Sequence, residues 1–228
     1  MSGVLLLVGP LPLPLRNRLA ELVLEAFEPG EARATVLALA RASRAEGSEV
    51  DTADAGRLLA LGWFESAAPG RVRLIGGYRV HGPSLAERAA RAASVVREWR
   101  ECDDRATEGM ASLLERAAAL ANHGLFFEVH ELLEPAWFRA PEPTRTALQG
   151  LIQVAVAFHH LESGNLEGAR SLLVLGVAKV TEAGAALPLD TRGWLGELRA
   201  TLATLAAGGS RRLVPRWPPW PRPRVPSP

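Results

Sequence analysis

A chain of 228 residues with 48% hydrophobic and 22% charged side chains has the composition of a soluble globular protein, long enough for one large domain or two small ones. The single cysteine, Cys102, excludes an intrachain disulfide and suits a reducing cytoplasm. The apolar start, Met1 to Pro14, is too short to span a bilayer, lacks a basic leading region and is broken by prolines, so a cytoplasmic protein without signal peptide or membrane contact is expected. Net charge is +1, and the basic excess lies in the tail: residues 208–228 carry five arginines and no acid. Lys179 is the only lysine, which reads as the mark of a GC-rich genome rather than of arginine-specific recognition.

In chain order, apolar spacing predicts helices over Leu15–Phe27 and Glu31–Ala45, separated by Pro29-Gly30. Asp51 is placed to cap a third helix, with Asp54 in its first turn and Ala55, Leu58, Leu59 and Leu61 on its apolar side. The alternation Arg71–Ile75 predicts a strand that turns at Gly76-Gly77 into Tyr78–Val80. Three helices followed by a β-hairpin is the order of a winged helix-turn-helix. Ser84 to Glu87 is a capping box opening a helix through Trp99, and a further helix covers Met110 to Leu120. Gly124 precedes a helix around His130, and Pro141 and Pro143 mark the following loop. The helix opening at Thr144 or Arg145 is apolar almost all round and so belongs at the centre of a bundle. Asn165 caps the next, to about Val180, where Gly168 and Ala169 permit close helix approach. Asp190 caps the last, to about Ala207, and the Arg/Pro/Trp tail beyond it reads as disordered. The fold class is therefore mainly α: a winged-helix-like domain (1–83), a connecting helix (84–106), a helical bundle (107–207) and a tail (208–228).

The chemistry-bearing stretch is Asn122 to Trp137. With 100° per residue, Phe126, Leu133 and Trp137 fall within about 60° of His130, and Glu134 and Phe127 lie just to the other side, while Glu128, Glu131 and Arg139 point away, toward solvent. His130 and Glu134 are thereby committed to the interior, where an unpartnered ionisable side chain is costly. On the central helix Gln149, Gln153 and His160 share one side, so the two helices are expected to face each other through a polar cluster of His130, Glu134, Trp137, Gln149, Gln153 and His160. A hydrogen-bonded network fixing helix register is one use of such a cluster. A divalent metal held by His130, Glu134 and His160 is another, and general acid–base catalysis by His130 with Glu134 as orienter is a third. No nucleophile elbow, phosphate loop or Rossmann fingerprint accompanies them, and the second histidine of His-Glu-x-x-His is missing.

Asn122-x-Gly124-x-Phe126-Phe127-Glu128-x-His130-Glu131-x-x-Glu134-x-x-Trp137, continued by Gln149-Gly150-Leu151-Ile152-Gln153, His160-Leu161 and Gly164-Asn165-x-x-Gly168-Ala169, resembles the signature of domain-of-unknown-function family 309. The resemblance covers roughly residues 107–185. It implies a small all-α bundle of bacteria and archaea with no established activity. Pro135 stands where that family carries an acidic residue, and it removes the bond to the Glu131 carbonyl. In the N-terminal part, Arg57, Arg71, Arg73 and Arg79 make the third helix and hairpin locally basic, the arrangement a DNA-binding wing would use, with a protein partner as the alternative. The expected function is a non-catalytic binding or scaffolding protein, against a metal-dependent or acid–base enzyme and a DNA-binding regulator.

Overall fold

Pro12 and Pro14 start the first helix rather than prevent it. First-turn N–H groups have no partner within a helix, so proline's missing donor costs nothing there, and α1 runs Leu13–Glu25 with Leu15, Leu19, Leu22 and Val23 buried. The computed structural model describes residues 11–43, 49–100 and 109–207; Cys102, the polar break at 101–104 and the tail at 208–228 lie outside them. Among the described residues nine α-helices and one two-stranded sheet make the protein mainly α. The chain divides into two compact units, the first ending at Cys102.

In the N-terminal unit α2 (Glu31–Ala42) packs against α1, α3 (Thr52–Ala60) and α4 (Gly82–Arg100). The helix read as a connector thus belongs to this unit, and the Phe27 and Trp99 rings meet edge-on at 4.8 Å. Asp51 caps α3 by accepting from the Asp54 amide at 2.7 Å. Asp54 does more than support that turn. It is buried, and its carboxylate accepts from Arg41 of α2 and, at 3.3 Å, from Arg57, which offsets the desolvation a lone buried charge would suffer.

Arg57 also reaches back to Glu31 at the start of α2, at 2.8 Å. The Arg57 hydrogen bond, then its positive charge, holds the Glu31 carboxyl below the usual carboxylate range. A depressed folded value means a contribution in place above the ordinary glutamate pKa of about 4.3 and lost as pH falls through the folded value. The urea midpoint of Glu31→Gln is therefore expected to lie below wild type near neutral pH and to converge with it in acid. A gap that stays constant with pH would refute this.

The hairpin differs from expectation. Phe64–Ala68 (β1) pairs antiparallel with Arg71–Leu74 (β2), aligning Phe64 with Leu74 and Glu65 with Arg73. Tyr78–Val80 instead lies in a 3-10 helix, Gly76–His81. The reason is the backbone sign. Gly70 takes φ +70° and reverses the chain at Pro69-Gly70, whereas Gly76 and Gly77 have no positive φ and do not. A further isolated bridge joins Glu49 to Arg71.

The C-terminal unit comprises α5 (Gly109–Asn122), α6 (Phe126–Arg139), α7 (Thr144–Glu162), α8 (Leu166–Ala183) and α9 (Arg192–Ala206), each packed on its neighbour in sequence. Two of the junctions repeat one device. At the end of α5 the Leu125 amide donates to the Leu120 carbonyl and Gly124 to Ala121, with Gly124 at φ +73°. At the end of α7 Asn165 donates to His160 and Gly164 to Leu161, with Gly164 at φ +77°. Both are Schellman caps, which need a residue that tolerates the left-handed region.

As expected of a helix apolar on nearly every side, α7 packs on both α6 and α8. Its contact with α8 is made through glycines other than the one anticipated. A Cβ built on Gly150 would lie 2.8 Å from Val180 Cγ2, and one on Gly176 would lie 2.9 Å from the Gly150 carbonyl oxygen. Gly168 meets only the Asn165 side chain, which caps α8 by accepting from the Gly168 amide at 3.0 Å.

Candidate functional site

On α6 the buried stripe of Phe126, Val129 and Leu133 faces the interior, and His130 stands at its edge. Its side chain is 28% exposed and that of Glu134 39%, so the pair is half-buried rather than sealed. The His130 Nδ1–H donates to Glu131 Oε1 at 3.1 Å, since a carboxylate only accepts. Glu134 Oε1 stands 3.8 Å from His130 Nε2, beyond hydrogen-bonding distance. The imidazole therefore has a carboxylate at each nitrogen, both from its own helix. One turn beyond Glu134, Trp137 stacks at an angle on Phe138, with ring centroids 4.7 Å apart, and its indole Nε1 is buried without a hydrogen-bond partner. Phe138 is 62% exposed. Pro135 lies inside α6 on its exposed side, and the helix continues past it to Arg139.

Glu128 corrects the wheel. Expected in solvent, it is fully buried, as are Gly124 to Val129 around it. A wheel assumes one wet side, but the first turn of α6 enters directly from the interior Schellman cap and is covered on every side. The carboxylate also sits where unpaired backbone N–H groups and the positive end of the helix dipole favour an anion.

The cluster expected between α6 and α7 does not assemble there. α7 shows α6 its Phe158 and His159 side: Phe126 stacks on Phe158 at 5.3 Å, and Phe127 lies 6.1 Å from His159. Gln153 is about 140° round the helix from Phe158 but only about 60° from Gly150, which marks the side turned to α8. No hydrogen bond among the described residues joins His130, Glu134 or Trp137 to Gln149, Gln153 or His160. A wheel gives the azimuth of a side chain but not which of two neighbours it meets.

His160 has a definite role. Asn165 uses its Oδ1 to cap α8, which leaves the Nδ2 amide, 3.1 Å from His160 Nδ1, as donor to that nitrogen. The ring is then the tautomer with its proton on Nε2, and neither nitrogen offers a free lone pair. This does not suit a metal ligand. Among the described residues no group of three or more His, Cys, Asp or Glu side chains is arranged to hold a metal ion. The four arginines of the N-terminal unit are likewise engaged: Arg57 with Glu31 and Asp54, Arg71 with Glu49 at 2.9 Å, Arg73 with Glu65 at 2.8 Å, and Arg79 with Glu65 and the Leu74 carbonyl. No helix among the described residues is long and apolar enough to cross a membrane.

The C-terminal unit is thus an all-α bundle that carries a half-buried histidine–glutamate face on α6. Residues 114–172, which include His130, Glu134, Trp137, Gln153 and His160, match the family model of a domain of unknown function (DUF309), in agreement with the motif resemblance. No curated protein and no solved structure matches the chain.

Proposed function

We propose that the protein is a non-catalytic binding or scaffolding protein of the cytoplasm, with the half-buried face of α6 as the seat of a partner. The observation that carries this reading is how the two histidines are used. His160 ties α7 to the cap of α8 through Asn165, and His130 is held by Glu131 and Glu134 of its own helix. Both serve the shape of the bundle, while Trp137 and the exposed Phe138 supply apolar contact beside them. In the N-terminal unit the order of three helices and a hairpin, with the bridge from Glu49 to Arg71, supports a winged-helix-like shape. Its arginines are already neutralised by carboxylates, which favours protein contact over phosphate contact there.

Metal content separates this reading from the enzyme alternative. After loading with zinc or manganese and dialysis, the full chain is expected to retain well under one equivalent, and His130→Ala to behave the same. One equivalent retained by the wild type and lost in His130→Ala would overturn the reading in favour of metal-dependent chemistry.

A further inference from the structure

The polar side of α7 finds its counterpart on α8. Gly150 and Gly176 bring the two helices into backbone contact, and the contacts run antiparallel: Gly150 meets Val180, and Val154 meets Gly176. At that crossing a Cβ built on Gly150 would also lie 3.0 Å from Lys179 Cβ, so the only lysine in the chain emerges against the open flank of α7. Long helical side chains lean toward the N-terminus of their own helix. For Lys179 that direction runs from the level of Gly150 toward the level of Val154, beside Gln153. Gln153 is about 60° from Gly150 on the same flank, and Gln149 and His160 lie within about 40° of Gln153.

None of these groups is satisfied by the others. Lys179 is half-buried, and among the described residues no carboxylate comes within ion-pair distance of it. The Oε1 terminus of Gln153 is buried with no hydrogen-bond partner. Turning that carboxamide over places an N–H2 group at the same point, at little cost in shape. His160, with its Nδ1 accepting from Asn165, keeps an Nε2–H to donate. An ammonium, an imidazole N–H and two carboxamides along one flank make a set of donors without an acceptor.

We propose that the α7–α8 flank is a binding site for a small anionic group, a phosphate or a carboxylate, held by Lys179 and Gln153 with Gln149 and His160 at its margins. It is distinct from the α6 face and does not rest on the reading of that face. The charge of Lys179 supplies the attraction, and the carboxamide and imidazole donors give it direction.

Titration of the isotope-labelled full chain with inorganic phosphate, and separately with acetate, tests this through the side-chain amide resonances of Gln149 and Gln153. Saturable shifts at these amides are expected for at least one anion. Which anion saturates at lower concentration assigns the source. Lys179→Met is expected to weaken that binding by about tenfold or more, the loss of one charge-assisted contact, and Lys179→Arg to retain most of it. Should Lys179→Met fail to fold, Gln153→Leu serves in its place, with a loss of similar direction read at Gln149. Absence of saturable shifts with both anions overturns the proposal, and so does unchanged affinity in the folded Lys179→Met or Gln153→Leu chain.

Discussion

Glu128→Ala is expected to lower the unfolding free energy by about 3 kcal/mol, against about 1 kcal/mol or less for Glu134→Ala. Two carboxylates six residues apart on one helix differ because of where that helix is covered. Glu128 has no exposed surface, lies in the first turn of α6 and is flanked by Phe126, Phe127 and Val129, all buried. Truncating it opens a void among large side chains and leaves the groups that satisfy the charge without it. Glu134 is 39% exposed and 3.8 Å from the His130 ring, the geometry of a loose surface pair. Urea unfolding of the two variants measures both effects, and equal midpoints would remove the distinction. A second check is Glu128→Gln, which preserves volume: it is expected to recover part of the loss, separating void from charge.

The helix crossing gives the other large effect. Alanine is favoured over glycine by about 1 kcal/mol in a helix interior, so Gly→Ala would ordinarily stabilise α7 or α8. At Gly150 the new methyl would lie 3.0 Å from the Val180 backbone nitrogen, and at Gly176 it would lie 2.9 Å from the Gly150 carbonyl oxygen and 3.0 Å from the Val154 nitrogen. Backbone cannot step aside as a flexible side chain does, so the helices must separate. Each substitution is expected to cost about 1–3 kcal/mol in spite of the gain in propensity. Gly196→Ala on α9 is the control. Nothing lies within 4 Å of its added methyl, and it is expected to raise stability by about 0.5–1 kcal/mol. Because Gly150 and Gly176 touch at one crossing, the double variant is expected to lose less than the sum of the two. Thermal or urea melts of the four variants decide it, and a stabilised Gly150→Ala would contradict the crossing.

Helices were legible wherever the punctuation was local. Gly124 and Gly164 mark stops because a Schellman cap needs a residue that accepts positive φ, and Asn165 and Asp51 mark starts because their oxygens reach an amide three residues on. What failed depended on partners distant in the chain. Two glycine pairs offered turns after β1, and only Pro69-Gly70 takes the left-handed conformation, so the second strand was sought one turn too late. Gly168 looked like a packing glycine by its neighbour Ala169, yet it serves a cap, and the crossing belongs to Gly150 and Gly176. In the candidate site, His130 and Glu134 were read onto one side of α6 correctly, but their depth was overestimated and that of Glu128 missed. Periodicity describes the middle of a helix better than its buried first turn. The stripe of Gln149, Gln153 and His160 was also real as a stripe. Its neighbour was misassigned because α7 has two.

The recurrence of one left-handed glycine turn at Gly124 and again at Gly164 bears on how the bundle forms. Each reversal is encoded within about six residues, and each helix of the C-terminal unit packs on the one that follows it, so few native contacts require distant stretches to find each other. Loop-closure entropy is then paid in short increments, the situation in which small helical proteins reach the native state in milliseconds or less. Hairpins that assemble from adjacent sequence also give α5–α6 and α7–α8 a natural order of appearance as the chain leaves the ribosome.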